Sequence, residues 1–220
     1  MTQVDPYAPH TLFGFPMWAS LISGSEQHKE GLLKHAMDLR ARYPGVVRSN
    51  RHAWHSGPEF VHHKSEHVAW LLQKVTKFAT LATARYHENW QHHDLVLAGC
   101  WANVLGFGGW NAPHHHAPTH WSGVYYVNVG TLPTDPGDFS GMIEFLNPNP
   151  QMALYGQSGN YVHRPRDGLM VLFPASITHY VHPRFADDLR VSIAYNFTVV
   201  PRDGQGDGKA ATGGYSAQLP

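Results

Sequence analysis

The pattern of apolar and polar positions divides the chain into a helical first part and a β-rich second part. In residues 23–45, apolar side chains recur at helical spacing, Ser23 and Glu26 match a capping box, and a Pro-Gly pair ends the segment. In residues 65–86, a longer apolar stripe follows the same period. We therefore predict two amphipathic helices whose apolar stripes pack on a core.

From residue 94 onwards, short β-type runs alternate with Gly, Pro and Asn. The runs are LVLAGCWANVL, GVYYVNV, GMIEFL, GNYVHR, GLMVLFPA and LRVSIAYNFTVV. Strands at this spacing predict a sandwich or a barrel, mainly β with flanking helices. We interpret 1–220 as a single domain with helical N-terminal support in 1–93, a β core in 94–200 and a flexible, Gly-rich tail in 201–220.

Composition narrows the classes of partner and compartment. The 16 basic and 16 acidic side chains balance, which disfavours nucleic acid and anionic membranes as partners. No apolar run is long enough to span a membrane, a lone Cys100 excludes an intramolecular disulfide, and the first residues lack the features of a signal peptide. A cytoplasmic location follows as an expectation, and exposed sheet edges favour a homodimer.

Histidines are the compositional anomaly, at 18 of 220 residues. In PHHHAPTHWSGVYYVN, His114 and His116 stand two apart in an extended segment, so their imidazoles point the same way while His115 points elsewhere. His179, in FPASITHYVHP, is the third candidate ligand, with His182 as its rival. Three imidazoles suit iron, copper or zinc, and the alternative is a histidine-rich loop that binds metal only adventitiously.

The strand LRVSIAYNF carries a second candidate site. Alternation places Arg190 and Ser192 on the same face, and inside a barrel that pair requires a buried anion. A ligand carboxylate suits the guanidinium fork, with the Ser hydroxyl as a second donor. The alternative is a structural salt bridge from Arg190 to Asp187 or Asp188.

These motifs, in this order, resemble the 2-oxoglutarate- and Fe(II)-dependent dioxygenase superfamily, and more closely its bacterial 2OG-Fe(II) oxygenase group. The segment VVRSNRHAWHS also resembles that group's SN…GW.S segment. The likeness spans roughly residues 10–200. It implies a double-stranded β-helix, or jelly roll, that holds Fe(II) at one open end.

The resemblance also implies roles for single residues. His114 and His179 become the first and last iron ligands, Arg190 binds the distal carboxylate of 2-oxoglutarate, and Ser192 matches an Arg-x-Ser pattern. Further residues expected near the cosubstrate, with ordinary sheet packing as the alternative, are Tyr126, Asn128 and Asn103.

One position departs from the superfamily pattern. Members usually carry a carboxylate two residues after the first histidine, where this chain has His116. His116 is therefore our expected third ligand, and Asp135, Asp138 or water is the alternative. A halogenase is disfavoured, because those relatives have a small residue at this position.

The expected activity is hydroxylation of a C–H bond in a small-molecule substrate, with O2 consumed and succinate and CO2 released. Two other functions stay open: a cupin-like three-His iron dioxygenase that does not use 2-oxoglutarate, and a non-catalytic jelly roll that binds a metal or ligand. Aromatic residues expected at the substrate pocket are Trp110, Trp121, Tyr125 and Tyr161.

Overall fold

The computed structural model describes residues 10–149, 151, 154, 156 and 159–202, so most of the predicted flexible tail lies outside the described residues. The helices are α1 (Ser25–Arg42), α2 (Glu59–His62) and α3 (Glu66–Tyr86), followed by a 3-10 turn at Trp90–His92. The strands are β1 (His10–Leu12), β2 (Phe15–Leu21), β3 (Asn50–His55), β4 (His93–His114), β5 (Trp121–Asn128), β6 (Ile143–Phe145), β7 (Tyr161–His163), β8 (Leu169–Pro174), β9 (His179–Val181) and β10 (Arg190–Pro201).

The strands pair in the order β1-β2-β8-β5-β10-β4-β9-β6-β7, with β3 also paired to β4, and each of these pairings is antiparallel. The long strand β4 joins the two halves of the sheet, because it pairs with β10 along its first part and with β9 at its end. The fold is a jelly roll with flanking helices, as the resemblance implied, whereas the spacing of the strands predicted only a sandwich or a barrel.

Two apolar clusters explain why β5 is buried on both faces. Trp121, Tyr125 and Val127 face the helices, which contribute their own buried stripes. Val124 and Tyr126 face the interior of the roll. Alternation along one strand therefore supplies two separate cores, one under the helices and one inside the barrel.

Both predicted helices are present, and their apolar stripes are buried as expected. The cap of α3 is Ser65, whose Oγ accepts a hydrogen bond from Val68 N at 3.4 Å. The capping box predicted at Ser23 and Glu26 is wrong. Helix α1 begins at Ser25, and the residue before it, Gly24, has φ 85° and makes no side-chain cap.

The N-terminal part is not only helical. Strand β2 pairs with β8, and β3 pairs with β4, so both extend the sheet of the roll. Their alternating patterns are short and stood out less than the two long helical stripes. Among the described residues, no helix combines the length and the apolar character needed to cross a membrane.

Candidate functional site

Three histidines meet where β4 ends and β9 begins. His114 and His179 are direct partners across the β4–β9 ladder, and their ring centroids lie 4.5 Å apart. His116 follows two residues after His114, and its backbone N donates to Ala175 O at 2.8 Å. One ligand atom from each of the three imidazoles lies within 4.8 Å of the others. The structure therefore brings the three predicted metal ligands together.

Backbone carbonyls fix the tautomers of two of these rings. His114 Nδ1–H donates to Ala112 O at 2.7 Å, and His179 Nδ1–H donates to Ile177 O at 2.9 Å. Both rings therefore carry their lone pair on Nε2, which is the atom that can bind a metal. In known metalloproteins, a hydrogen bond from the ring nitrogen that does not bind the metal fixes the orientation of a metal-binding histidine in the same way.

Burial keeps the three rings neutral. Desolvation lowers the pKa of His116 to about 4, with a further contribution from His114. The same cause lowers the pKa of His114, and it lowers that of His179 well below the ordinary value, where His114 adds to the effect. Neutral imidazole is the form that binds metals, so at neutral pH the cluster needs to lose no proton to do so.

The rival ligands lie elsewhere. His182 Nε2 bonds to Glu144 Oε2 at 2.6 Å, on the side of β9 away from the cluster. Asp135 Oδ1 accepts from Gly137 N, and Asp138 Oδ1 accepts from Ser140 N, both within their own loop. His115 does line the same cavity, but it is not part of the cluster: its side chain is exposed, and its Nδ1 accepts from Ala117 N.

The three histidines lie in a cavity of about 450 Å³, which also contains Arg190, Ser192 and Asn103 on its lining. Arg190 is 2% exposed, and its Nη1 donates to Ser192 Oγ at 3.0 Å. Among the described residues, Arg190 Nε and Asn103 Oδ1 are buried without a hydrogen-bond partner. A buried guanidinium that lacks an anion is costly, so this end of the cavity fits the carboxylate of a ligand.

The other two residues expected near the cosubstrate differ in position. Tyr126 lies behind Arg190, whose guanidinium carbon is 5.1 Å from the centroid of its ring. Asn128 Nδ2 donates to Leu189 O at 2.7 Å, and this residue does not line the cavity. Tyr126 therefore supports Arg190 from behind, and Asn128 supports the start of β10.

A second buried arginine accounts for the nearby acidic residues. Arg184 is fully buried and pairs with the Asp188 carboxylate, and it also donates to the carbonyls of Val129, Thr131 and Asp188. No described ion pair joins Arg190 to Asp187 or Asp188. The structural salt bridge considered for Arg190 is instead made by Arg184, which the sequence reasoning missed.

Sequence reasoning also missed the outer part of the cavity. The four aromatic residues predicted there do not line it; Trp121, for example, is in the helix-facing core and donates to Thr83 Oγ1. The cavity is instead lined by Trp101 and His55, whose rings stack at 5.3 Å with an interplanar angle of 10°, and by Arg48 and Ser49. The proximity of these residues depends on the β3–β4 pairing, which no local motif reveals.

Ser49 extends the cluster from β3's side. Asn111 Nδ2 donates to Ser49 Oγ at 3.2 Å, and the Ser49 hydroxyl points at His114 Nε2 across 3.4 Å. The segment SN that carried part of the family resemblance thus lies beside the histidines.

Comparisons with known proteins agree with this geometry. Residues 99–196 match the family model described as "Putative 2OG-Fe(II) oxygenase". No curated protein matches the sequence at a significant level. The matched segment contains all three clustered histidines together with Arg190 and Ser192.

Solved structures share the fold at low sequence identity. A prolyl-4-hydroxylase from Pseudomonas putida aligns with a TM-score of 0.59 at 17% identity, over 86% of this chain and 93% of that chain. An α-ketoglutarate-dependent epimerase from nogalamycin biosynthesis aligns with a TM-score of 0.60 at 15% identity, over 91% and 86% of the two chains. A prolyl hydroxylase from Trichoplax adhaerens aligns with a TM-score of 0.59 at 15% identity, over 84% and 83%. At these identities the likeness concerns the fold.

Proposed function

Because residues 99–196 belong to the 2OG-Fe(II) oxygenase superfamily, we propose that this protein is an Fe(II)- and 2-oxoglutarate-dependent oxygenase that hydroxylates a C–H bond of a small molecule. The membership agrees with the resemblance that its sequence motifs carry. The observation that carries the proposal is the placement of a buried Arg190, which forms no ion pair among the described residues, in the same cavity as three neutral histidines.

His114, His116 and His179 would hold the iron. Two of them have Nδ1 bound to a backbone carbonyl, so their Nε2 atoms are the donors. With His116 in place of a carboxylate, Fe(II), three imidazoles and doubly charged 2-oxoglutarate carry a net charge of about zero rather than about −1. We expect this difference to alter metal affinity relative to members that have the carboxylate.

Arg190 and Ser192 would orient the cosubstrate. Both side chains project from the same face of β10, and Arg190 Nε has no other partner among the described residues. The guanidinium fork would bind the distal carboxylate of 2-oxoglutarate in two-pronged fashion, with the Ser192 hydroxyl as a further donor. The Tyr126 ring would hold the guanidinium from behind.

Bound together, iron and 2-oxoglutarate supply the oxidising chemistry, in which O2 is consumed, 2-oxoglutarate becomes succinate and CO2, and one oxygen atom enters the substrate C–H bond. The chain supplies position and exclusion of water. Val124, Ile143, Phe173 and Val181 give the cavity an apolar side next to the histidines. That side keeps water from the reacting centre while the outer part of the cavity admits a small molecule.

The proposal is tested by following conversion of 2-oxoglutarate to succinate by NMR. The protein is incubated with Fe(II) and O2 in the absence of any added substrate, so that slow uncoupled turnover is measured. We expect succinate to form with wild type and with Arg166→Ala, an exposed arginine, and to fall at least about tenfold with Arg190→Ala. Equal rates in the two variants would contradict the role of Arg190.

A second candidate function is favoured by one observation. The described residues that line the cavity include five histidines and no Asp or Glu, as a three-His iron dioxygenase that does not use 2-oxoglutarate would require. In that enzyme Arg190 would bind the carboxylate of the substrate itself. Iron binding without any succinate formation would favour this function, and failure to bind iron would favour a non-catalytic jelly roll.

A further inference from the structure

The outer part of the cavity carries a positive charge that the proposed iron and 2-oxoglutarate sites do not use. Two arginines line the cavity, and no Asp or Glu does so among the described residues. Arg190 is the buried one, whereas Arg48 is exposed at the mouth. The Arg48 guanidinium donates to Val47 O at 3.2 Å, and within the described part of the chain it forms no ion pair. Most of its donors therefore remain for a ligand.

A flat aromatic surface lines the same cavity as this cation. Trp101 and His55 stack face to face, with ring centroids 5.3 Å apart. His55 Nδ1–H donates to Ser56 O at 2.5 Å, which fixes the ring. Burial lowers the pKa of His55, and the charge of Arg48 lowers it further, which keeps the ring neutral. The mouth thus combines one cation with uncharged aromatic rings.

We propose that the substrate is a small carboxylic acid whose carboxylate binds Arg48 and whose flat or apolar body packs against Trp101. This inference rests on the proposed function, because it assigns the part of the cavity that 2-oxoglutarate does not fill. A guanidinium pairs with a carboxylate through two parallel hydrogen bonds, and an indole ring offers a broad apolar surface. Arg48 supplies a single positive charge at the mouth of the cavity. That charge matches a monoanion better than a phosphate dianion, which would keep one uncompensated negative charge.

The test measures binding of 3-phenylpropionate and its uncharged amide, 3-phenylpropionamide, by equilibrium dialysis under anaerobic conditions. Fe(II) and saturating 2-oxoglutarate are present throughout, so that Arg190 is occupied and cannot bind the probe. The variants are Arg48→Ala and a matched control, Arg51→Ala. Arg51 is also exposed and lies three residues away, but its Nη1 donates to Arg48 O and Asn50 O, and it does not line the cavity.

We expect wild type and Arg51→Ala to bind the acid about fivefold more tightly than the amide, as an exposed ion pair allows. In Arg48→Ala the two probes should bind equally. A Trp101→Ala variant should weaken both probes to the same extent, because it removes the apolar surface and leaves the cation.

Equal binding of acid and amide to wild type would overturn the inference, as would a preference for the acid that survives in Arg48→Ala. Tighter binding of phenyl phosphate than of 3-phenylpropionate would overturn the choice of a carboxylate. The visible absorption of iron-bound 2-oxoglutarate is recorded in the same samples. If it is present while the acid preference is missing, only this inference fails; if it is missing in wild type, the proposed function fails first.

Discussion

Two buried arginines in this fold should respond in opposite ways to the same substitution. Arg190 is 2% exposed, with one hydrogen bond to Ser192 and the ring of Tyr126 beside it. The net cost of burying an ion is several kcal/mol, while the contact with the Tyr126 ring returns up to about 2 kcal/mol and the hydrogen bond about 1 kcal/mol. In ligand-free protein, Arg190→Met should therefore raise the free energy of unfolding by about 1 kcal/mol.

Arg184 is the matched control. It is equally buried, but it pairs with Asp188 and donates to three backbone carbonyls. Arg184→Met should lower the free energy of unfolding by about 3 kcal/mol, because it leaves those acceptors without donors. For a chain of this size, these changes correspond to shifts in Tm of about +3 °C for Arg190→Met and about −9 °C for Arg184→Met.

The assay is thermal unfolding with and without Fe(II) and 2-oxoglutarate. At a 2-oxoglutarate concentration of about 100 times the wild-type Kd, wild type should gain about 2.7 kcal/mol, whereas Arg190→Met, with a Kd at least about tenfold weaker, should gain at most about 1.4 kcal/mol. Arg190→Met should therefore be more stable than wild type without 2-oxoglutarate and less stable than wild type when 2-oxoglutarate is bound. A loss of stability in ligand-free Arg190→Met as large as that in Arg184→Met would show that Arg190 is a structural residue and not a ligand-binding one.

Three further predictions concern the histidines and their surroundings. Metal-free protein should lose stability as the pH falls from 6.5 towards 4, by up to about 1.4 kcal/mol per pH unit for each ring. The reason is that the pKa values of His116 and His179 are lowered in the folded state, so the unfolded chain takes up protons first. Urea unfolding at pH 7 and pH 5 measures this loss, and equal stabilities at the two pH values would contradict the prediction. His179→Ala should abolish binding of Fe(II) in a metal titration, whereas His182→Ala should change the Kd by less than about twofold, and the reverse result would exchange their roles. Glu144→Gln should lower the free energy of unfolding by about 1–2 kcal/mol, because the Glu144 carboxylate accepts three hydrogen bonds. Urea unfolding at pH 7 measures this free energy, and an unchanged value would show that the three bonds make no net contribution to stability.

The parts of the site that lie within one strand or one turn could be predicted from the sequence. Strand alternation alone places Arg190 beside Ser192, and the spacing of two residues turns His114 and His116 the same way. His179 was a candidate from its sequence context, and the resemblance implied its role as the last iron ligand; its position opposite His114 in the β4–β9 ladder explains why the two rings lie close together.

Features that depend on strand pairing could not be predicted in this way. The stack of Trp101 on His55 arises from the β3–β4 register, and β3 itself was not recognised as a strand. Asn128 was expected on the same face as Tyr126, but the β5–β10 register shifts between Val191 and Ser192, and Asn128 bonds instead to the backbone beside β10. A local shift of this kind leaves no mark in the alternation of apolar and polar residues.

The fold of the N-terminal part shows the same limit. The two long helices were predicted from apolar stripes of many residues, whereas β2 and β3 have seven and six residues each. Their place in the sheet comes from contacts with β8 and β4, which are distant in the sequence. The predicted homodimer stays a prediction, and size-exclusion chromatography with light scattering would test it.

The most direct test of the central claim is an anaerobic titration of Fe(II)-loaded protein with 2-oxoglutarate, followed by the visible charge-transfer absorption of the chelate. We expect a saturable band in wild type that weakens in Arg190→Ala, and a shifted or absent band in His116→Ala, because that variant removes one of the three proposed ligands. If wild-type protein binds Fe(II) but develops no band at any 2-oxoglutarate concentration, this protein does not bind 2-oxoglutarate at its iron site.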